Sequence, residues 1–497
     1  MAGLALDTFE PRAEAFLNAR AWREFQFVTA RRPGRGLVSL YEQDFPEFTS
    51  LDFWADVQAA TPEDPRQLTR LSALLAGGNL EGRTREMPVG LTRLQAGATV
   101  AFEDRDVAWR DAPSSWPLLA EVPRRHALEE SWRGVFRAEL SPLLERWHEA
   151  LRANLTPLGA DDWLAFWPTL HGIDTAAASG LAATILDHTA EVYGNSLGVY
   201  LAQLDLPIDD VWTADVDWAF RAPRFDATFS ELNRVGTAIR VLRDLGIELK
   251  DQAAIHVDYD FAASGVQCLA VEVPADIHVL LRLIGGWQDL ARMLRGLGMA
   301  EHLAHTDQSL RVWDRRLGDM TPTFASGLLL EGLLRDRTWL LSRLDYAASD
   351  DFRVIADLEW LYRVRRSAAL TLYEQRLWQA EPGTALAADY EESLSAATRV
   401  RHFSDTYLNI LCDAPWSTLR QPTLLRAEVF AAQLRLYLQR EFDEEWWRSN
   451  RAARFIKDEL WRPGQRHSAE ELLGFMGFEG FDPGILESQM LEVLQPL

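Results

Sequence analysis

Lysine is almost missing from this 497-residue chain. It occurs only at Lys250 and Lys457, and arginine supplies the rest of the positive charge. No phosphate-loop lysine motif can therefore be built, and a Schiff-base lysine would have to be one of those two. Cysteine is scarce as well. Cys268 and Cys412 lie far apart, with no Cys-x-x-Cys and no disulfide framework, which fits a reducing compartment and a cytoplasmic protein. Cys268 sits in the apolar run Val266–Val271 and reads as a buried structural thiol rather than a nucleophile. No apolar run approaches the roughly 18 residues of a membrane helix. The first residues lack the basic and apolar regions of a signal peptide. There is no Gly-x-Ser-x-Gly elbow for a serine hydrolase. Basic charge is short overall: 51 Lys and Arg face 74 Asp and Glu, a net charge of −23. That balance argues against nucleic acid and anionic membranes as partners.

What is present is material for a large core, 47% hydrophobic residues over a length that allows two to four domains. Apolar positions recur at three- and four-residue spacing over residues 12–30, 127–155, 174–204, 226–247, 287–305, 323–345, 350–380, 386–412 and 423–460, which predicts a mainly α fold. Ser468 and Glu471 form a capping-box pattern before Leu472 and Leu473. Pro62, Pro65, Pro113, Pro117 and Pro123 mark loops in the first third. Strand signals are few. Residues 89–104 alternate weakly. Ile255, Val257, Tyr259 and Phe261 alternate better and are followed by Val266–Val273 and Ile277–Leu283, which predicts a small antiparallel sheet just before the 287–305 helix. One continuous body is expected, with an N-terminal helical lobe over 1–249 and a second lobe over 250–497 around a cleft. The run Glu441–Trp447, acidic with two tryptophans, reads as packed aromatics and solvated charges.

The 286–305 segment carries the functional information. Gly285, Gly286 and Asp289 precede a helix containing Gly298, Ala300, His302 and Ala304. This pattern resembles the oligoendopeptidase and thimet-oligopeptidase group of gluzincin metallopeptidases, whose Gly-Gly-x-x-Asp-Tyr lead-in runs into His-Glu-x-Gly-His and Ala-x-His-x-x-Ala. An active zinc helix needs two imidazoles one turn apart, with a glutamate as general base. Arg295, Gly296 and Met299 occupy those three places here, and Leu290 stands where the tyrosine is usual. The family's third ligand is a glutamate about 25 residues on. Phe324 lies at that spacing, and Glu331 matches a second, non-ligand glutamate. Leu424, in Leu424–Gln433, falls where the family presents a tyrosine to the transition state. Phe455–Trp461 and Gly464–Leu473 resemble its closing helices. The resemblance covers roughly residues 250–490.

The resemblance implies a gluzincin-like helical fold with an edge strand able to pair with an extended peptide. It also implies a degenerate site: no catalytic residue, no metal and no cofactor. A guanidinium cannot replace imidazole at zinc, methionine is a poor zinc donor, glycine offers no base, and phenylalanine only fills volume. The expectation is a pseudopeptidase that binds a peptide or a protein partner in the vestigial cleft. Other readings stay open. Arg295 could clamp an anion or a C-terminal carboxylate. His302 and His305, three apart beside Glu301, could hold a relocated metal for an active hydrolase. His256, Asp258 and Asp260 alternate on one strand face, either solvated or as a metal or acid–base cluster. Ser326 lies near the former ligand, with no base predictable beside it. The cleft could also be filled in a purely structural protein.

Overall fold

The computed structural model describes residues 6–29, 35–61, 64–259, 265–344, 349–413 and 419–494. Helices dominate. Five of them position the site: α1 (Leu6–Val28), α2 (Trp287–His305), α3 (Thr321–Glu331), α4 (Ser349–Gln379) and α5 (Arg420–Phe442). The 287–305 expectation coincides with α2. The Ser468–Glu471 capping box is also formed, with each side chain accepting from the other residue's backbone N–H.

Where long expected helices break, a local cause is visible. The 127–155 segment is two helices, Val122–Val135 and Ser141–Ala153, joined by a π-helical turn at Phe136–Leu140. The 423–460 segment stops at Phe442, because Asp443 takes a φ of 91° that cannot continue a right-handed helix. Trp446 and Trp447, just beyond, are buried. The weak alternation over 89–104 misled in part. Residues Glu86–Gly97 are helical, with Pro88 in the first turn where its missing N–H costs nothing. Only Thr99–Phe102 is a strand, paired with Arg105–Ala108.

The sheet beside α2 has three strands, β1 (Ile255–Asp258), β2 (Val266–Glu272) and β3 (Asp276–Leu281), in the order β1-β3-β2. β2 and β3 are antiparallel, with Val266 opposite Leu281 and Glu272 opposite Asp276. β1 joins β3 in parallel, from Ile255↔Ile277 to Asp258↔Leu280. The sheet is thus mixed rather than purely antiparallel. Alternation fixes the face a side chain takes but not the direction of the neighbouring strand. Asp260 and Phe261 lie outside the described residues.

Both faces of the sheet are covered. Ile277, Val279 and Leu281 join the core shared with α2. On the other face Phe25 of α1 packs with Leu269, Val271 and Leu280, and stacks on His278 at 4.0 Å. Two large cores follow from this packing. One is built largely from residues before 174 together with 369–419. The other takes residues 181–368 and the C-terminal helices, so the segment 181–247 packs with the sheet rather than with the N-terminal residues. α4 spans both cores, with Phe352–Ala368 in one and Ala369–Trp378 in the other. At 1.5 Å per residue it is about 46 Å long and ties the two together.

Candidate functional site

The site grows from three backbone demands. Gly285 and Gly286 both adopt left-handed φ values, 87° and 80°, which favour glycine. Their turn is closed by Asp289, a fully buried carboxylate that accepts from the backbone N–H of Ile284 at 2.9 Å and of Gly285 at 2.8 Å. The third demand is the α2–α3 crossing. A Cβ on Gly298 would lie 2.4 Å from the Ser326 carbonyl oxygen and 2.8 Å from Gly327 Cα. Reciprocally, a Cβ on Gly327 would lie 2.5 Å from the Arg295 carbonyl oxygen. The two helices touch backbone to backbone, which only glycine permits.

This crossing sets the side chains expected at the site. Arg295 pairs its Nε with Glu331 of α3. Met299, one turn further on, is buried with its Cγ beside Gly327. Phe324 lies three residues before Gly327 and seven before Glu331, near the face that carries both; it is half-buried against the core. Gly296 faces the sheet instead. A Cβ there would sit 2.5 Å from Val279 Cγ1 and 2.9 Å from Val266 Cγ2. Any side chain at this position would meet two valines.

Residues that the motif comparison did not single out complete the cluster. Arg363 of α4 reaches Glu331 at 3.0 Å and lies 3.6 Å from Glu359 and 3.9 Å from Glu428. Glu428 of α5, one turn after half-buried Leu424, accepts from the indole N–H of Trp360 at 2.8 Å. Arg335 stacks on that indole at 3.9 Å. Four helices therefore converge on a buried ion network. The sequence signal available for it was the Glu359/Arg363 pair at i,i+4 in a helix whose polar residues are not confined to one face.

Burial raises the pKa of Glu331, with Arg295 opposing it, and that of Glu428, with the Trp360 hydrogen bond opposing it. Glu359 is pushed up to about 8, first by burial and then by the neighbouring Glu331 charge. For Arg295, burial works against the charge but Glu331 more than offsets it.

A pH dependence follows. A carboxyl whose pKa is raised on folding stabilises below its unfolded pKa, and that contribution is lost as pH rises through the folded value. Glu359→Gln cannot ionise. Its stability relative to the parent should therefore rise by on the order of 4 kcal/mol between about pH 5 and about pH 8.5, since the shift to about 8 spans nearly three pKa units of that window and one unit is about 1.4 kcal/mol. Urea unfolding at the two pH values measures this, and a difference independent of pH would refute it.

The histidines go elsewhere. His302 is fully buried, hydrogen-bonds the Gly464 carbonyl at 3.2 Å, and is pushed down to about 4, chiefly by burial. His305 pairs with Glu301 at 3.2 Å, while Glu301 also accepts from Gln252 at 2.8 Å. His256 lies 3.4 Å from Asp276, which also holds His278 at 2.9 Å. Ser326 donates to the Pro322 carbonyl and accepts from the Trp461 indole. The edge strand β2 is engaged as well: Arg316 donates to the Ala270 and Val271 carbonyls, and Arg315 to the Val273 carbonyl just past it. A separate open groove of about 1540 Å³ runs between residues 137–145, 190–211 and 383–407, and none of the residues at the α2–α3 crossing lines it.

These residues do not fit zinc. Arg295 has no lone pair to donate and is bound by Glu331, Gly296 carries no side chain and is closed over by two valines, and Met299 packs on Gly327. Among the described residues no group of three His, Cys, Asp or Glu could hold a metal ion.

No family model and no curated protein matches the chain by sequence. Solved structures match it over its length. A structure provisionally assigned as an oligoendopeptidase F aligns at a TM-score of 0.72 and 12% identity, covering 100% of this chain and 94% of the other. PZ peptidase A, solved with an inhibitor, aligns at 0.62 and 13%, covering 98% and 86%. Pyrococcus furiosus carboxypeptidase aligns at 0.57 and 12%, covering 99% of both chains. The chain has the mainly helical fold of these gluzincin-type peptidases. No described helix is long and apolar enough to cross a membrane.

Proposed function

We propose that this chain is a pseudopeptidase: a metallopeptidase-like protein that has given up catalysis and holds an extended peptide, or a segment of a protein partner, in a vestigial cleft beside α2. One observation carries the reading. Among the motif positions that are kept, Gly285, Gly286, Asp289 and Gly298 meet demands of the backbone, whereas Arg295, Gly296, Met299 and Phe324 stand where the resemblance places the zinc ligands and the base. Selection for a fold retains the first set whether or not catalysis survives. An arginine salt-bridged to Glu331 in place of the first histidine is incompatible with the old reaction. A peptide ligand is supported by the fold's likeness to PZ peptidase A, which was solved with an inhibitor.

The test is turnover of a fluorogenic peptide set by purified protein, with and without added zinc, manganese or cobalt, and with a chelator. The expected result is no hydrolysis above a matched blank under any condition. Chelator-sensitive cleavage that disappears in His302→Ala or His305→Ala would replace this reading with that of an active hydrolase.

A further inference from the structure

We propose that the Arg292–Arg295 pair on α2 is a receptor for a carboxylate, either the terminal one of a peptide or one carried by an acidic side chain. The inference rests on the reading that the cleft holds peptides without cutting them, and it names the group that is held. Arg292 and Arg295 are neighbours on one face of α2, three residues apart. Of the carboxylates around them, Glu331, Asp289 and Glu428 are engaged by other groups, while Asp217 and Glu359 lie near enough to act on Arg292. Glu331 takes Arg295 Nε on one side and both terminal nitrogens of Arg363 on the other. Asp289 lies 3.6 Å from Arg292, but both its oxygens already accept backbone N–H groups. Glu428 takes the Trp360 indole.

Arg292 donates one terminal nitrogen to the Arg282 carbonyl at 3.3 Å. Its Nε and Nη2, and both terminal nitrogens of Arg295, have no hydrogen-bond partner among the described residues. Part of each side chain remains exposed, 21% for Arg292 and 26% for Arg295. A guanidinium cannot lose its proton to escape such a position. Burial holds Arg292 below the ordinary guanidinium range, with Asp289 offsetting it only in part. Two adjacent guanidiniums with spare N–H groups present the planar fork that a carboxylate matches in pairs of hydrogen bonds.

Calorimetric titration of the full chain with three probes tests this: N-acetyl-pentaalanine, its C-terminal amide, and that amide with glutamate at the central position. The expected result is that a carboxylate-bearing probe binds at least about tenfold tighter than the plain amide. A preference for the free acid identifies a peptide terminus, and a preference for the glutamate amide identifies an acidic side chain. Arg292→Gln should abolish the preference. That variant is chosen because among the described residues Arg292 makes no ion pair closer than 3.6 Å, so the Arg295–Glu331 lock is untouched. Equal affinity for all probes, no binding of any, or a preference that survives Arg292→Gln overturns the proposal. Chromatography of the probes afterwards separates the two readings. Cleaved peptide with a carboxylate preference sinks the non-catalytic reading alone; intact peptide without the preference sinks the carboxylate site alone.

Discussion

Gly296→Glu, which restores the family's general base in name, should destabilise the protein by about 4 kcal/mol and confer no activity. Two costs add. The first is steric: the new Cβ would lie 2.5 Å from Val279 Cγ1 and 2.9 Å from Val266 Cγ2, both on strands pinned between α1 and α2. Overpacking of this kind costs about 1–3 kcal/mol. The second is electrostatic. The carboxylate would enter an interface between Val266, Val279 and the helix, where an unpaired charge costs several kcal/mol unless the group stays protonated. Some relief comes from helix propensity, where glycine is the poorer former by under about 1 kcal/mol. Urea unfolding gives the stability difference. A loss smaller than about 1 kcal/mol would mean that the sheet yields and the base position is open after all. Adding Arg295→His, Met299→His and Phe324→Glu should not rescue function, because the sheet still occupies the place of the base.

Arg295→Met should cost about 3 kcal/mol, and its effect should depend strongly on Glu331. Removing one member of a buried ion pair leaves the other desolvated without its partner, a loss of about 3–5 kcal/mol. Arg363 still reaches Glu331 at 3.0 Å, which places the cost at the lower end. Methionine preserves the stem volume and helix propensity, so the charge is what the substitution removes. Glu331→Gln leaves Arg295 and Arg363 without their shared acceptor charge and should cost a similar amount. In a double-mutant cycle the pair should show a coupling of about 2 kcal/mol. A coupling below about 0.5 kcal/mol would show that Arg295 and Glu331 are near each other without holding one another in place.

The sequence exposed some layers of this structure and hid others, for physical reasons. α2 was legible to the residue because its apolar spacing runs unbroken between Gly286 and Thr306. The Ser468 cap was legible because it is purely local. The antiparallel β2–β3 hairpin was also local. The parallel pairing of β1 was not, because nothing in an alternating run states which neighbour it will choose. The helix break at Asp443 depends on one backbone angle that aspartate adopts only in context. At the site, the motif comparison supplied Arg295, Gly296, Met299 and Phe324, but not what they face. The valines over Gly296 and the Glu331–Arg363–Glu359–Glu428 network are contacts between distant segments, and charged residues in a long helix read as solvated until the fold buries them. The retained glycines looked like remnants of a motif. The α2–α3 crossing shows that Gly298 is there for packing, independent of any metal.

The central claim is that the fold persists while the zinc chemistry has been removed. Elemental analysis of purified protein, dialysed against zinc and then against zinc-free buffer, tests it most directly. The account predicts well under one equivalent of retained zinc, unchanged in Arg295→Met. One tightly held equivalent per chain, released by substitution at Met299 or Glu331, would contradict it.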